Sequence, residues 1–275
     1  MVALVAGSRL IKSLPSNLSP SVAAASNDTP EVQYPFTKDG CTSIAQCVFG
    51  DRASRKVIVL FGDSHAAMWL PALLPIAVRD NYRVVLLFTL GCPAVDVTIW
   101  NKGTGTDYTA CNTARSSDIS QINELKPKVI LLASRSAQAK RSAKSFFTNA
   151  QWDTGLKKTI TLLKPSKAKL AVLGDITLLN VVPPMCLAAS PTGVQRCSTA
   201  NPNPIKHNQG HQAAERAAAG ATKTLYVNTI PWLCTKTCSS VIGSMLAYSD
   251  QWHITVTYAT YLSTVFADSI KKLLT

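Results

Sequence analysis

Short apolar runs that alternate with helical stretches constrain the fold of this chain more than any other feature. Residues 57–61 (VIVLF), 129–133 (VILLA) and 170–174 (LAVLG) are β-rich and carry no polar alternation. Such runs read as strands buried on both faces, the signature of central parallel strands. Including residues 83–88 and 225–228, five runs are each followed by a helical stretch: 66–80, 118–125, 152–163, 207–220 and 255–274. This alternation predicts a parallel sheet of about five strands with helices on both faces, a three-layer α/β/α domain. Ligands of such sheets bind beyond the carboxyl ends of the strands, which directs attention to residues 62–65, 91–93, 134–136 and 174–175.

The 275 residues fit one large domain, because single cores grow to ~250–300 residues before chains divide. No stretch supplies the roughly 20 apolar residues that cross a bilayer. The formal charge is +13, and residues 126–169 hold eleven Lys and Arg against Asp153 alone. An anionic partner is one reading of that block, such as a wall polymer or a membrane surface, and solvated helix faces are the other. Nucleic acid is not expected, since the block has no zinc-finger spacing, RNA-recognition signature or interleaved aromatics.

Eight cysteines fall into four local couples: Cys41 with Cys47, Cys92 with Cys111, Cys186 with Cys197, and Cys234 with Cys238. Four disulfides are expected, which implies an oxidising compartment. The rival is a zinc site made from Cys234, Cys238, His207 and His211, but this spacing is looser than zinc knuckles use, so no metal or other cofactor is expected. Residues 181–204, rich in Pro and holding the Cys186/Cys197 couple, read as a stapled insertion. Residues 13–27 are uncharged and rich in Ser, Ala and Pro, so residues 1–38 are expected to be a linker or junction and 39–275 the domain. The apolar run at 2–6 precedes Arg9 and Lys12 and makes a poor signal peptide. An export or membrane-anchoring part is therefore expected upstream of Met1.

The chemistry concentrates at two places. Run 57–61 leads into Gly62-Asp63-Ser64-His65, where Gly62 permits a sharp turn that lifts the Ser64 hydroxyl above the sheet. Serine needs a base, and the base needs an orienting group. Asp250-Gln251-Trp252-His253 supplies both, because a three-residue spacing lets Asp250 reach the ring of His253 and fix its tautomer. Asp63 and His65 are expected around the site, satisfying amides and hydrogen-bonding from behind. Asp175 reads as a turn residue. Trp69 and Trp252 read either as core or as platforms for a sugar ring.

An early Gly-Asp-Ser with a late Asp-x-x-His resembles the SGNH (GDSL-type) hydrolase family. The fuller pattern FGDSHAAMWLPAL, GCP, WLCTKTC and YSDQWHIT with a terminal helix is similar to SGNH domains fused to the C-terminus of acyltransferase-3 membrane proteins. The resemblance implies a flavodoxin-like α/β/α fold and a Ser64, His253, Asp250 triad, with Gly91 in the oxyanion hole beside the Ser64 amide. The hydrolases carry an Asn after the third strand, where this chain reads Ala133-Ser134-Arg135-Ser136. Arg135 or Ser134 is then the expected third donor, with Ser134, Asp63, His65 and Trp252 as substrate contacts.

The resemblance further implies an extracytoplasmic, membrane-tethered O-acyltransferase, with acetyl as the expected acyl group, acting on a cell-envelope glycan or glycolipid through an acyl-serine. Its acyl donor would come from an upstream acyltransferase-3 module. A secreted carbohydrate O-acetyl esterase and a catalytically weak glycan-binding module are the alternatives.

Overall fold

The computed structural model describes residues 12–275 except 35, 38 and 39. The run at 2–6, Arg9 and the expected 38/39 boundary lie outside the described residues. After a helical turn at Pro30–Gln33 (α1), the chain lays down β1 (Gly40–Cys41), β2 (Val48–Gly50) and β3 (Val57–Gly62). Helices α2 (Ser64–Ala67) and α3 (Leu70–Arg79) precede β4 (Arg83–Thr89), the hairpin of β5 (Trp100–Asn101) and β6 (Thr106–Asp107), and the long α4 (Thr109–Leu125). Then come β7 (Val129–Ala133), the hairpin of β8 (Lys140–Ser142) and β9 (Ser145–Phe146), α5 (Asn149–Leu162) and β10 (Lys169–Leu173). Helix α6 (Pro183–Ala189), β11 (Thr199–Ala200), α7 (Gln212–Ala221), β12 (Leu225–Val227), α8 (Val256–Tyr261) and α9 (Ser263–Leu274) follow.

The five expected strands form a parallel sheet in the order β4-β3-β7-β10-β12. Two short strands that the sequence did not disclose, β1 and β2, pair antiparallel with the outer edge of β4. The Cys41–Cys47 disulfide ties them together, and such brief strands blunt an edge that would otherwise template association.

Alternate residues of each strand serve two cores. Ile58, Leu60, Leu86 and Leu131 face α3, α8 and α9. Val59, Phe61, Leu87 and Leu132 face α4, α5 and α7. Full burial of each such side chain contributes roughly 1.5–3 kcal/mol, which explains why the inner strands need no polar face.

The chain leaves β3 for β4 on one side and reaches β7 on the other, so the switch point lies between β3 and β7. Gly62 and Ala133 are partners there, and a Cβ on Gly62 would collide with the Ala133 carbonyl oxygen. Glycine is required by this close approach of two backbones, directly before Ser64.

Helix boundaries depart from the apolar periodicity where proline, glycine or tertiary contacts intervene. The stretch expected as one helix from 66 breaks into α2 and α3, since Pro71 cannot donate to the preceding turn. Helix α4 begins nine residues before the expected 118, because its first turns are held by the buried Cys111 and Arg115 and not by an apolar stripe. The stretch at 207–220 is a 3₁₀ turn, Lys206–Asn208, followed by α7.

The segment with linker composition is not free of the domain. Leu14, Leu18, Val22 and Ala25 pack with Leu187, Val194 and Leu246, and the Ser19 amide donates to the Ser244 carbonyl. Downstream, Asp28 accepts from the amides of Val256 and Thr257 through its carbonyl and carboxylate, at 2.9 and 3.0 Å, and so caps α8 just after His253. Composition did not reveal this strap because its apolar residues are sparse and lean on a surface made elsewhere in the chain.

Candidate functional site

Asp63 is the pivot of the turn after β3. Its extended backbone (φ −108°) ends the strand, and its buried carboxylate accepts from the His65 amide at 2.8 Å and the Arg135 amide at 2.9 Å. The ends of β3 and β7 are thereby locked together. The amide-satisfying role expected for Asp63 is its observed geometry.

Ser64 emerges half-buried, and its hydroxyl donates to His253 Nε2 at 2.9 Å. His253 Nδ1 donates to Asp250 Oδ2 at 2.8 Å, which assigns the proton to Nδ1 and leaves Nε2 as the acceptor. The other oxygen of Asp250 accepts the amides of Trp252 (2.6 Å) and His253 (2.7 Å), so the carboxylate and the ring belong to one rigid turn. Burial alone would lower the His253 pKa; hydrogen bonding and charge from Asp250 outweigh it and hold the pKa above the usual imidazole value. Burial likewise opposes ionisation of Asp250, and the bonds from His253 and the turn amides bring its pKa below the usual carboxylate value.

Gly91 sits at the third position of a turn closed by the Cys92 amide on the Thr89 carbonyl, with φ +65°, a conformation glycine takes without strain. Among the described residues, neither the Ser64 nor the Gly91 amide donates an intramolecular hydrogen bond. The loop that follows is fixed by the Cys92–Cys111 disulfide and by Arg115, whose buried guanidinium donates to the carbonyls of Pro93 and Val97, each at 2.9 Å. Ser134 belongs to the same arrangement, its hydroxyl accepting the Ala94 amide at 2.9 Å. With its amide taken by Asp63, Arg135 offers only its guanidinium, which lies over the Trp252 ring at 4.6 Å.

Sequence reasoning expected His65 to hydrogen-bond from behind the site but missed its partner and the buried network around it. His65 Nδ1 donates to Asp175 at 2.7 Å, and its ring packs edge-on to that of His253, with centroids 5.1 Å apart. Asp175 also accepts the amides of Ser136 and Ala137 and the Ser136 hydroxyl, so it is a buried anchor more than a turn residue. Behind it, Glu215 accepts the Asp175 amide and Trp152 Nε1; burial, aided by the Asp175 charge, pushes its pKa up to about 8 and so favours the protonated form. The one available signal was Asp175 at the carboxyl end of β10.

The structure decides two alternatives that the sequence left open, and the four expected disulfides are present. Trp69 is buried against Trp232 and Phe266 and does not reach the site. All eight cysteines form the four local disulfides, so the sulfurs of Cys234 and Cys238 are not free to bind zinc. His207 stacks on Phe146, whereas His211 stacks on Trp152, so the two imidazoles do not share a helix face.

Asp63, Gly91, Arg135 and Trp252 line one part of a cleft of about 490 Å³ that extends to Trp100 and Tyr108 from one hairpin and Lys140 and Phe146 from the other. A second cavity of about 540 Å³ shares Gln138, Ala139, Phe146 and His207 with it. The two adjoin at these four residues and together make up a trough beyond the carboxyl ends of the strands.

Comparison with known proteins agrees with this architecture. No curated protein sequence matches the chain. The chain is similar in structure to the periplasmic domain of a lipopolysaccharide acetyltransferase from Salmonella ser. Paratyphi A, at 15% identity and a TM-score of 0.58, covering 81% of this chain and 84% of that one. It is also similar to a mutant of Axe2, an acetyl-xylooligosaccharide esterase from Geobacillus Stearmophilus, at 12% identity and a TM-score of 0.51, covering 80% and 96%. At these identities the likeness is one of fold. The profile of the SGNH domain (fused to AT3 domains) matches residues 32–268, and the chain therefore belongs to that SGNH domain family.

Proposed function

We propose that this domain is an extracytoplasmic O-acyltransferase that passes a short acyl group, acetyl in the simplest case, to a hydroxyl of a cell-envelope glycan through an ester on Ser64. The observation that carries this reading is the continuous hydrogen-bonded series Ser64, His253, Asp250 beside an open trough. In the first half-reaction Ser64 Oγ attacks the donor carbonyl while its proton passes to His253 Nε2. Asp250 stabilises the resulting imidazolium. The carbonyl oxygen gathers negative charge at the amides of Ser64 and Gly91, which have no protein acceptor among the described residues, and the leaving group takes the proton from His253. In the second half-reaction a sugar hydroxyl gives its proton to His253 and attacks the acyl-serine carbonyl, and the departing Ser64 Oγ takes that proton back from His253.

Membership of a family fused to AT3 domains supports a donor supplied by a membrane acyltransferase module. Four disulfides support an oxidising compartment. Hydrolysis differs only in that water takes the place of the sugar, so the test must offer both. Incubation with p-nitrophenyl acetate should acetylate Ser64, detected by peptide mass spectrometry, and added envelope glycan should accelerate p-nitrophenol release and become acetylated. Acetylation of a different residue would reject the mechanism. Fast hydrolysis indifferent to every glycan would replace the transferase with an esterase.

A further inference from the structure

Apart from Arg135, the basic residues of the block at 126–169 have no part in the acyl chemistry, and the structure divides them. At the end of the molecule away from Ser64, Lys128 and Lys169 donate to carbonyls at the end of α9. On α5, Lys157 pairs with Asp153 and Lys158 with Asp96. Arg135, Lys140, Arg141 and Lys144 lie in or beside the β8–β9 hairpin, and none has a carboxylate partner among the ion pairs of the described residues.

The trough collects cations from other segments as well. Arg135, Lys140 and Lys102 line the cleft nearer Asp63, and Lys206 lines the adjoining cavity. Among the described residues lining either cavity the only carboxylate is Asp63, and its oxygens are occupied by the amides of His65 and Arg135. A concave surface so composed has a positive potential that its walls focus.

The cations are also paired with rings. Arg135 lies over Trp252 at 4.6 Å, and Lys140 over Phe146 at 5.6 Å. Phe146 is stacked on His207, 5.0 Å apart and within 9° of parallel, and 36% of its surface is exposed. The exposed part of such a ring offers apolar contact to the C–H side of a sugar, and the neighbouring ammonium or guanidinium takes an anionic substituent on it.

From this juxtaposition we infer that the trough binds an acidic oligosaccharide, whose carboxylate or phosphate groups meet Arg135 and Lys140 and whose sugar rings pack against the parts of Trp252 and Phe146 that stay exposed. The inference rests on the acceptor being a glycan, as proposed above, and adds its charge. A neutral polymer would leave these cations unanswered. A bilayer presents a flat anionic surface, which does not match a concave one.

Binding needs no turnover, so it is measured by titration calorimetry on the Ser64→Ala protein, independently of whether the enzyme transfers or hydrolyses. The probes are tetragalacturonate for carboxylates, mannopentaose phosphate for phosphate, and neutral xylotetraose. One charged probe should bind about tenfold or more tightly than xylotetraose, a preference that shrinks as salt rises. Whichever is tighter identifies the charged group. Lys140→Glu should abolish the preference, Phe146→Ala should weaken charged and neutral probes alike, and Lys271→Glu, on the far helix α9, should alter neither. Equal affinity for charged and neutral probes, no binding of either charged probe, or a preference that survives Lys140→Glu would overturn the inference. So would tighter binding of octathymidylate or phosphatidylglycerol vesicles than of both charged sugars.

Discussion

Two histidine–aspartate pairs stand side by side in this protein, with nearly equal geometry and opposite surroundings. His253 and Asp250 meet at 2.8 Å, with side chains 23% and 39% exposed, whereas His65 and Asp175 meet at 2.7 Å at 3% and 0%. The second nitrogen makes the difference: His253 Nε2 accepts from Ser64, while His65 Nε2 is buried without a hydrogen-bond partner. A pair of this kind is a base only where its free nitrogen faces a proton to be moved and the imidazolium can be tolerated. The buried pair fills the space behind the exposed one, and the edge of its ring sets where the His253 ring can lie.

Disabling the exposed pair should have the largest effect. Ser64→Ala and His253→Ala are each expected to lower kcat for p-nitrophenyl acetate by about 10⁶, since the two act as one unit, with both proteins melting near the parent temperature. A loss below about tenfold in either would mean that another group carries the chemistry.

The same comparison explains what could be read from sequence. Asp250 and His253 are three residues apart, so their contact is nearly local, and Ser64 follows a strand whose composition identifies it. His65 and Asp175 are separated by 110 positions, and only the neighbouring carboxyl ends of β3, β7 and β10 bring them together. The parallel strands were legible because both faces are buried, which leaves an unbroken apolar run. The edge strands β1 and β2 are two and three residues long and leave no periodic trace. The trough residues Trp100, Tyr108, Lys140 and Phe146 come from hairpins whose placement over the sheet is a tertiary outcome.

Asp250→Asn removes the charge from the exposed pair but keeps its shape. An amide cannot hold the Nδ1–H tautomer as a carboxylate does, and a loss of about 10⁴ in kcat is expected. The pH profile gives a sharper readout. The base must be neutral, so kcat/KM should climb as pH rises through the elevated His253 pKa, above the ordinary 6.5. With the Asp250 contribution removed, burial dominates, and the rising limb of the residual activity should move to lower pH. A limb that stays in place would assign it to a different group.

Asp175→Asn makes the matching change in the buried pair, and its expected signature is inverted. Breaking a buried pair from one side typically costs about 3–5 kcal/mol, seen as a lower denaturation midpoint. Turnover by the remaining folded protein should fall by no more than about tenfold, through a looser His253 ring, with the pH limb unmoved because Asp250 still sets it. A loss as deep as that of Asp250→Asn, with stability unchanged, would make the buried pair a participant in proton transfer.

The smallest effect is expected where the family's Asn is replaced. Arg135 keeps its amide on Asp63 and its guanidinium over Trp252, so the place of a third oxyanion donor is filled by a side chain committed to the trough. Arg135→Asn retains the amide contact and puts a short carboxamide beside Ser64. One oxyanion donor is worth about 10²–10³ in rate when well aligned, and an Asn grafted into a site not shaped for it should recover only part of that, a several-fold rise in p-nitrophenyl acetate hydrolysis. The same substitution removes a cation from the trough, so affinity for tetragalacturonate or mannopentaose phosphate should fall as hydrolysis rises. Opposite movement of the two readouts would show that this position exchanges water-directed chemistry for acceptor recognition. A rate that does not rise would place the third donor elsewhere, with Ser134, held against the Ala94 amide, the next to replace.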